Sequence, residues 1–100
     1  MSTTLDKQAL VRAAWCTELR RQGHRQCYGG LQGEGNKVCA LGLLAEVTGS
    51  TADDAYVIGA SAGLGATQAG DVWRMNDGWG DVVRRHTFAE IADVVEGWFR

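Results

Sequence analysis

Lys37 to Thr48 read K-V-C-A-L-G-L-L-A-E-V-T, in which the ten positions Val38 to Val47 are apolar apart from one glycine and one glutamate. Val38, Cys39, Ala40 and Leu41 form an unbroken apolar tetrad, which suits a short buried strand, and Gly42 has the backbone freedom to turn from that strand into a helix. Leu43, Leu44 and Val47 then fall on one face of a single short helix. Thr48-Gly49-Ser50-Thr51 ends it, with Gly49 suited to a left-handed C-terminal cap and Ser50 or Thr51 to capping the next helix. Cys39 stands at the expected strand-to-helix junction, where a helix N-terminus can lower a thiol pKa and make a nucleophile. The plainer reading is a small residue filling the core, since free cysteine is among the most buried residue types.

Working outward, Thr3 to Arg21 has helical periodicity in Leu10 or Val11, Ala14, Trp15 and Leu19, with Thr3 and Asp6 resembling a capping box. Gln26 to Leu31 and Asn36 to Leu41 read as two extended runs joined by Gln32-Gly33-Glu34-Gly35, a hairpin with a glycine-bearing turn. Residues 51–70 permit a short helix after Asp53 and Asp54, but Gly59, Gly63, Gly65 and Gly70 interrupt any period. Asp71 to Asp81 begins with one helical turn and ends in a turn at Asn76-Asp77-Gly78. Thr87-x-x-Glu90 is a second capping box, and Phe88, Ile91, Ala92, Val95 and Trp98 or Phe99 share one face of the last helix. The fold class expected is α+β, one domain over residues 1–100. Helices over 4–21 and 87–99 pack on a short antiparallel hairpin at 26–41, with shorter helices between. Trp15, Leu19, Val38, Leu41, Leu44, Val47, Phe88, Ile91 and Val95 are the expected core.

One hundred residues, 45% hydrophobic and 22% charged, support one domain with a modest core and contain no apolar run long enough to cross a bilayer. Met1-Ser2-Thr3-Thr4 leads into a charged amphipathic segment without the basic start and apolar centre of a secretory signal, so a cytoplasmic protein is expected. In that compartment Cys16, Cys27 and Cys39 stay reduced. Their spacing, with His24 before Cys27 and His86 far away, lacks the close pair of a zinc site, so no metal and no cofactor is expected. Net charge is −2, with six basic and four acidic groups in the first fifty residues against four and eight in the last fifty. Nucleic-acid binding wants a broader basic stripe than Arg20, Arg21, His24 and Arg25, which read as a solvated helix end.

Two stretches carry candidate chemistry. Tyr56 to Gly65, Y-V-I-G-A-S-A-G-L-G, has the glycine spacing of a dinucleotide-binding turn, but only 35 residues follow it, too few for the parallel sheet such a turn serves, so it reads as a packing segment. Trp73, Arg74, Asn76, Asp77 and Trp79, with Arg84 and Arg85, form the candidate binding set. The tryptophans can stack on a planar ligand or supply core area, the arginines can hold an anion, and Asn76-Asp77-Gly78 is also strong turn chemistry. Asn76 and Asp77 are thus either ligand contacts or the groups that satisfy backbone amides in the turn.

C-A-L-G-L-L-A-E-V-T-G, M-N-D-G and T-F-A-E-I-A-D-V-V-E, in this order, resemble a family of small phage and prophage proteins. Its pattern stands here as Trp15 to Arg20, Gln26 to Leu31, Cys39 to Leu44, Met75 to Asp77 and Phe88 to Asp93. The chain departs from it at Met75, where leucine is usual, in a single cysteine where many members have two adjacent, and in glycine-rich 59–65. The resemblance implies a phage-encoded accessory protein and brings no catalytic residues with it. The function expected is non-catalytic binding of a host protein, in host takeover or defence evasion. One alternative is a small-ligand binder that sequesters an anionic, nucleotide-like molecule, and a homo-oligomer is compatible with either. A cysteine hydrolase is the third class, with Cys39 as nucleophile and His86 or His24 as base, which requires the two side chains within hydrogen-bond reach.

Overall fold

The apolar run is a helix from Ala40 onward, and no strand precedes it. The structure, a computed structural model, describes residues 4–78 and 84–100. Among them are five α-helices: α1 (Thr4–Arg21), α2 (Ala40–Thr48), α3 (Ala55–Ala60), α4 (Ala66–Asp77) and α5 (Phe88–Trp98), with a 3-10 turn at Gly23–Arg25. Cys39 is the N-cap of α2, its extended backbone turning the chain and its sulfur accepting from the Gly42 amide at 3.3 Å. A short continuous apolar segment fits a buried strand and a buried helix equally well. Here the cap decides, and Ala40, Leu41, Gly42, Leu43 and Leu44 are all buried, as in a helix surrounded on most sides.

This corrects the expected α+β fold: the described residues contain no sheet and no antiparallel hairpin at 26–41. That segment is a loop whose only ladder elements are two isolated bridges, Val38 pairing in parallel with Gln26 and antiparallel with Gln32. The glycines at 29, 30, 33 and 35 explain why, since glycine is a poor strand former and lets the chain curl over itself. Gly42 lies one turn inside α2, where a Cβ would stand 2.0 Å from the Leu31 carbonyl oxygen, so the missing side chain is what lets the loop lie against the helix. The same carbonyl accepts from the Cys39 amide at 3.1 Å.

α2 is central, packing on α1, α3 and α4, while α5 lies along α1 and touches α4. Trp15, Leu19, Val38, Leu41, Leu44, Phe88, Ile91 and Val95 join one buried cluster, as the apolar periodicities indicate, whereas Val47 is only partly buried. Leu10 is 68% exposed, and Val11 takes its place on the inner face of α1. The Trp15 indole nitrogen donates to the Ala40 carbonyl at 2.9 Å, so the largest core side chain also has its polar atom satisfied. Arg20 ties α1 to α5 through Asp93 and Glu96. Arg25 does the same for the 3-10 turn and α2 through Glu46.

The 51–70 region resolves into two helices. Asp54 caps α3 by accepting from the amides of Tyr56 and Val57, and a Cβ on Gly59 would stand 2.8 Å from that of Ala69, so this glycine is where α3 and α4 touch. Gly65 caps α4 and donates its amide to Gln68 Oε1 at 3.0 Å. α4 runs three turns to Asp77 instead of the single turn expected from Asp71, and Gly78, with φ of 79°, stops it. At α5 the Thr87 and Glu90 side chains exchange hydrogen bonds with each other's amides, the capping box expected.

Candidate functional site

Beside the start of α2 the loop, α3 and α4 leave an apolar slot of about 310 Å³. Leu31 comes from the loop, Cys39 and Leu41 from the first turn of α2, Tyr56 from α3, and Gly70 and Trp73 from α4. Gly70 and Trp73 are three apart on a helix and so share a face. Trp73 is 40% exposed and Tyr56 52%, and Val57 beside Tyr56 is 58% exposed, so three large apolar side chains meet solvent on α3 and α4. A shallower depression continues past Tyr56 and Gly70 to Thr67 and Arg74.

The slot has the shape it does because Asn76 holds the loop in place. Asn76 is fully buried and uses all four of its hydrogen-bonding positions. Its Oδ1 accepts from the Ala40 amide and from Gln26 Nε2, both at 3.1 Å, and its Nδ2 donates to the Cys27 carbonyl at 2.9 Å and to Asp77 Oδ1 at 2.8 Å. One side chain near the end of α4 therefore satisfies an orphan amide of the α2 N-terminus and pins the loop twice. Asp77 Oδ1 also accepts from the Gly29 amide at 3.0 Å. Gln26 reaches on to the His86 carbonyl at 2.7 Å, while the His86 amide donates to the Met75 carbonyl, so the segment before α5 hangs on the same knot.

The candidate binding set thus divides. Trp73 lines the slot and Arg74 the depression beside it, where Arg74 pairs with Asp71 at 3.4 Å. Asn76 points inward, and Asp77 holds the loop. Arg84 pairs with Glu90, and Arg85 stacks on Tyr28 at 4.2 Å while donating to the Asp77 carbonyl at 2.9 Å. The arginines therefore do not converge on Trp73. Trp79 lies outside the described residues. Leu31, Tyr56 and Gly70 belong to the slot and were not among the residues singled out from the sequence, because nothing local marks three such positions as neighbours.

The Cys39 thiol is pushed up from its ordinary value chiefly by burial, which outweighs the lowering by the Gly42 and Leu41 amides, and Asp77 and Cys27 raise it further. Burial thus outweighs the activation that a helix N-terminus offers a thiol. His86 Nδ1 is paired with the Arg84 carbonyl at 2.8 Å, and His24 lies on the 3-10 turn with its carbonyl accepting from Lys37. Among the described residues no three His, Cys, Asp or Glu side chains gather as a metal site, and no helix is long and apolar enough to cross a membrane.

Comparison with protein-family models, with curated proteins and with solved structures found no match to this chain.

Proposed function

We propose that the chain is a non-catalytic binding domain that seats one apolar side chain of a partner protein in the slot between Leu31, Tyr56 and Trp73. The observation that carries this is Gly70. It lies in the middle of α4, where glycine costs about 1 kcal/mol of helix stability relative to alanine. Unlike Gly42 and Gly59, it has no backbone or core atom to avoid: a Cβ there would meet only the guanidinium of Arg74, at 3.4 Å. Gly70 lines both the slot and the depression that holds Arg74, so a larger residue there would narrow them. An apolar recess ringed by exposed aromatic side chains is the usual receptor for an anchor residue at a protein interface. The resemblance to small phage proteins makes the partner a host protein and the compartment the host cytoplasm.

A nucleotide-like ligand is the weaker reading. Its phosphates need several arginines turned to the slot, and of the three candidates Arg74 alone borders it, beside Gly70, while Arg84 and Arg85 are engaged with Glu90, Tyr28 and Asp77. Titration of the ¹⁵N-labelled protein with N-acetyl-tryptophanamide, a minimal apolar anchor, separates the two when followed by amide shifts beside adenosine monophosphate. The expected result is saturable shifts at Leu31, Leu41, Tyr56 and Gly70 with the anchor alone. Shifts at those amides with the nucleotide alone would reverse the assignment.

A further inference from the structure

Backbone pairing sets Cys27 and Cys39 side by side. The Val38 amide donates to the Arg25 carbonyl and the Cys27 amide to the Val38 carbonyl, each at 2.9 Å, which pairs Gln26 with Val38 in parallel. Cys27 and Cys39 are the residues that directly follow this isolated pair, and extended segments paired in this way stand about 4.8 Å apart. That spacing lies inside the Cα separation of about 4.4–6.8 Å that a disulfide spans. A second observation bears on the direction of Cys27, whose Sγ donates to the Gly30 carbonyl at 3.9 Å. Its Cβ and Sγ lie 3.0 and 3.1 Å from where a Cβ on Gly33 would stand, and that point is 3.1 Å from the Lys37 Cβ. Lys37 and Cys39 share a face by the two-residue alternation of extended chain, so Cys27 leans toward the face that carries Cys39. Burial raises the pKa of both thiols first, Asp77 raises both further, and Cys27 adds to the rise at Cys39. Cys16 is separate: it is buried on α1 with its Sγ donating to the Ala92 carbonyl at 3.9 Å, and its pKa is pushed up to about 11, mainly by burial.

We propose that Cys27 and Cys39 are a reversible redox pair that closes to a disulfide on meeting a small-molecule disulfide such as oxidised glutathione. Cys27, the less buried of the two, loses its proton and attacks one sulfur of the glutathione disulfide, and the departing glutathione thiolate takes up a proton. Cys39, deprotonated in turn, attacks the Cys27 sulfur of the mixed disulfide and releases the second glutathione as its thiol. Two protein thiols are oxidised by two electrons, and one glutathione disulfide becomes two glutathiones. The bond turns Cys39 Sγ away from the Gly42 amide and changes the floor of the slot, which Cys39 lines. This goes beyond the binding reading, and the covalent readout below is independent of whether the slot holds anything.

The test is incubation of the native protein with glutathione disulfide, followed by quenching in acid, intact mass measurement and peptide mapping. The expected product has lost about 2 Da, for two hydrogens, carries no glutathione and links Cys27 to Cys39, with Cys16 still alkylated after unfolding. Cys16→Ala keeps the same link, whereas Cys39→Ser stops at a glutathione adduct on Cys27, and dithiothreitol returns the original mass. A wild-type protein that stops at the glutathione adduct, or a link that includes Cys16, overturns the proposal. Cys39→Ser retains a group able to accept from Gly42, and its melting curve establishes that the variant is folded before it is compared.

Discussion

Replacing Asn76 by alanine removes all four hydrogen bonds of a fully buried polar side chain. The Ala40 amide, buried at the first turn of α2, is left without its acceptor. An unsatisfied buried donor of that kind costs about 1–3 kcal/mol. The bonds to Gln26, the Cys27 carbonyl and Asp77 go as well. Each of these contributes about 0.5–1.5 kcal/mol net, and the total comes to roughly 4 kcal/mol. A domain of this size has about 5–15 kcal/mol in all, so the variant loses a large share of its stability. At about 4–8 °C per kcal/mol, the melting temperature falls by roughly 15–30 °C. Urea denaturation followed by circular dichroism measures the loss. Asp77→Ala is the comparison: its carboxylate is half-buried and accepts from the Gly29 amide and from Asn76 Nδ2, so a smaller loss of about 1–2 kcal/mol is expected. An Asn76→Ala protein within about 1 kcal/mol of the wild type would refute the idea that one side chain pins the loop to both helices.

Other substitutions follow from the packing. Gly42→Ala forces a Cβ to 2.0 Å from the Leu31 carbonyl oxygen, so thermal melts are expected to show a large loss despite a gain in helix propensity of about 1 kcal/mol; a variant more stable than wild type would contradict the loop-on-helix contact. Leu44→Ala, at a fully buried position, is expected to cost about 2–5 kcal/mol by chemical denaturation. The Glu90 carboxyl is held down to about 2 by its hydrogen bonds, first to Arg84 and then to the Thr87 amide. Its folded pKa is depressed, so its contribution is present above an unfolded value near 4.5 and is lost as pH falls toward 2. Melting temperature against pH is expected to decline over that window, and less steeply in Glu90→Gln.

The two terminal helices were legible because each carries a 3.6-residue apolar period, to which α5 adds reciprocal capping at Thr87-x-x-Glu90; the capping expected at Thr3 lies outside the described residues. The centre of α2 was legible as buried, but its start was not. Four consecutive apolar residues carry no period, and a thiol is an uncommon N-cap, so Cys39 gave no stop signal for a strand. The loop before it defeated the hairpin reading because its polar partners are not cross-strand neighbours: Gln26 and Cys27 answer to Asn76, fifty and forty-nine residues away. Within α4 the glycines at 65 and 70 look alike in sequence, yet one caps the helix and the other borders the slot. Trp73 was legible as a binding candidate by its type, whereas its companions Tyr56 and Leu31 reach it only through the packing of α3 and the loop. Arg84 and Arg85 had the right chemistry for an anion site and were spent on local partners, a distinction that only their neighbours reveal.

If the slot is an open receptor that Gly70 keeps clear, Gly70→Leu closes it, which two readings on one sample test. Leucine restores about 1 kcal/mol of helix propensity, and its Cβ meets only the Arg74 guanidinium, at 3.4 Å, so a melting temperature equal to or above that of the wild type is expected. The amide shifts that N-acetyl-tryptophanamide produces in the native protein are expected to vanish. A stable Gly70→Leu protein that still shows those shifts, or one that melts far below the wild type because no open space exists to receive the side chain, would contradict the account.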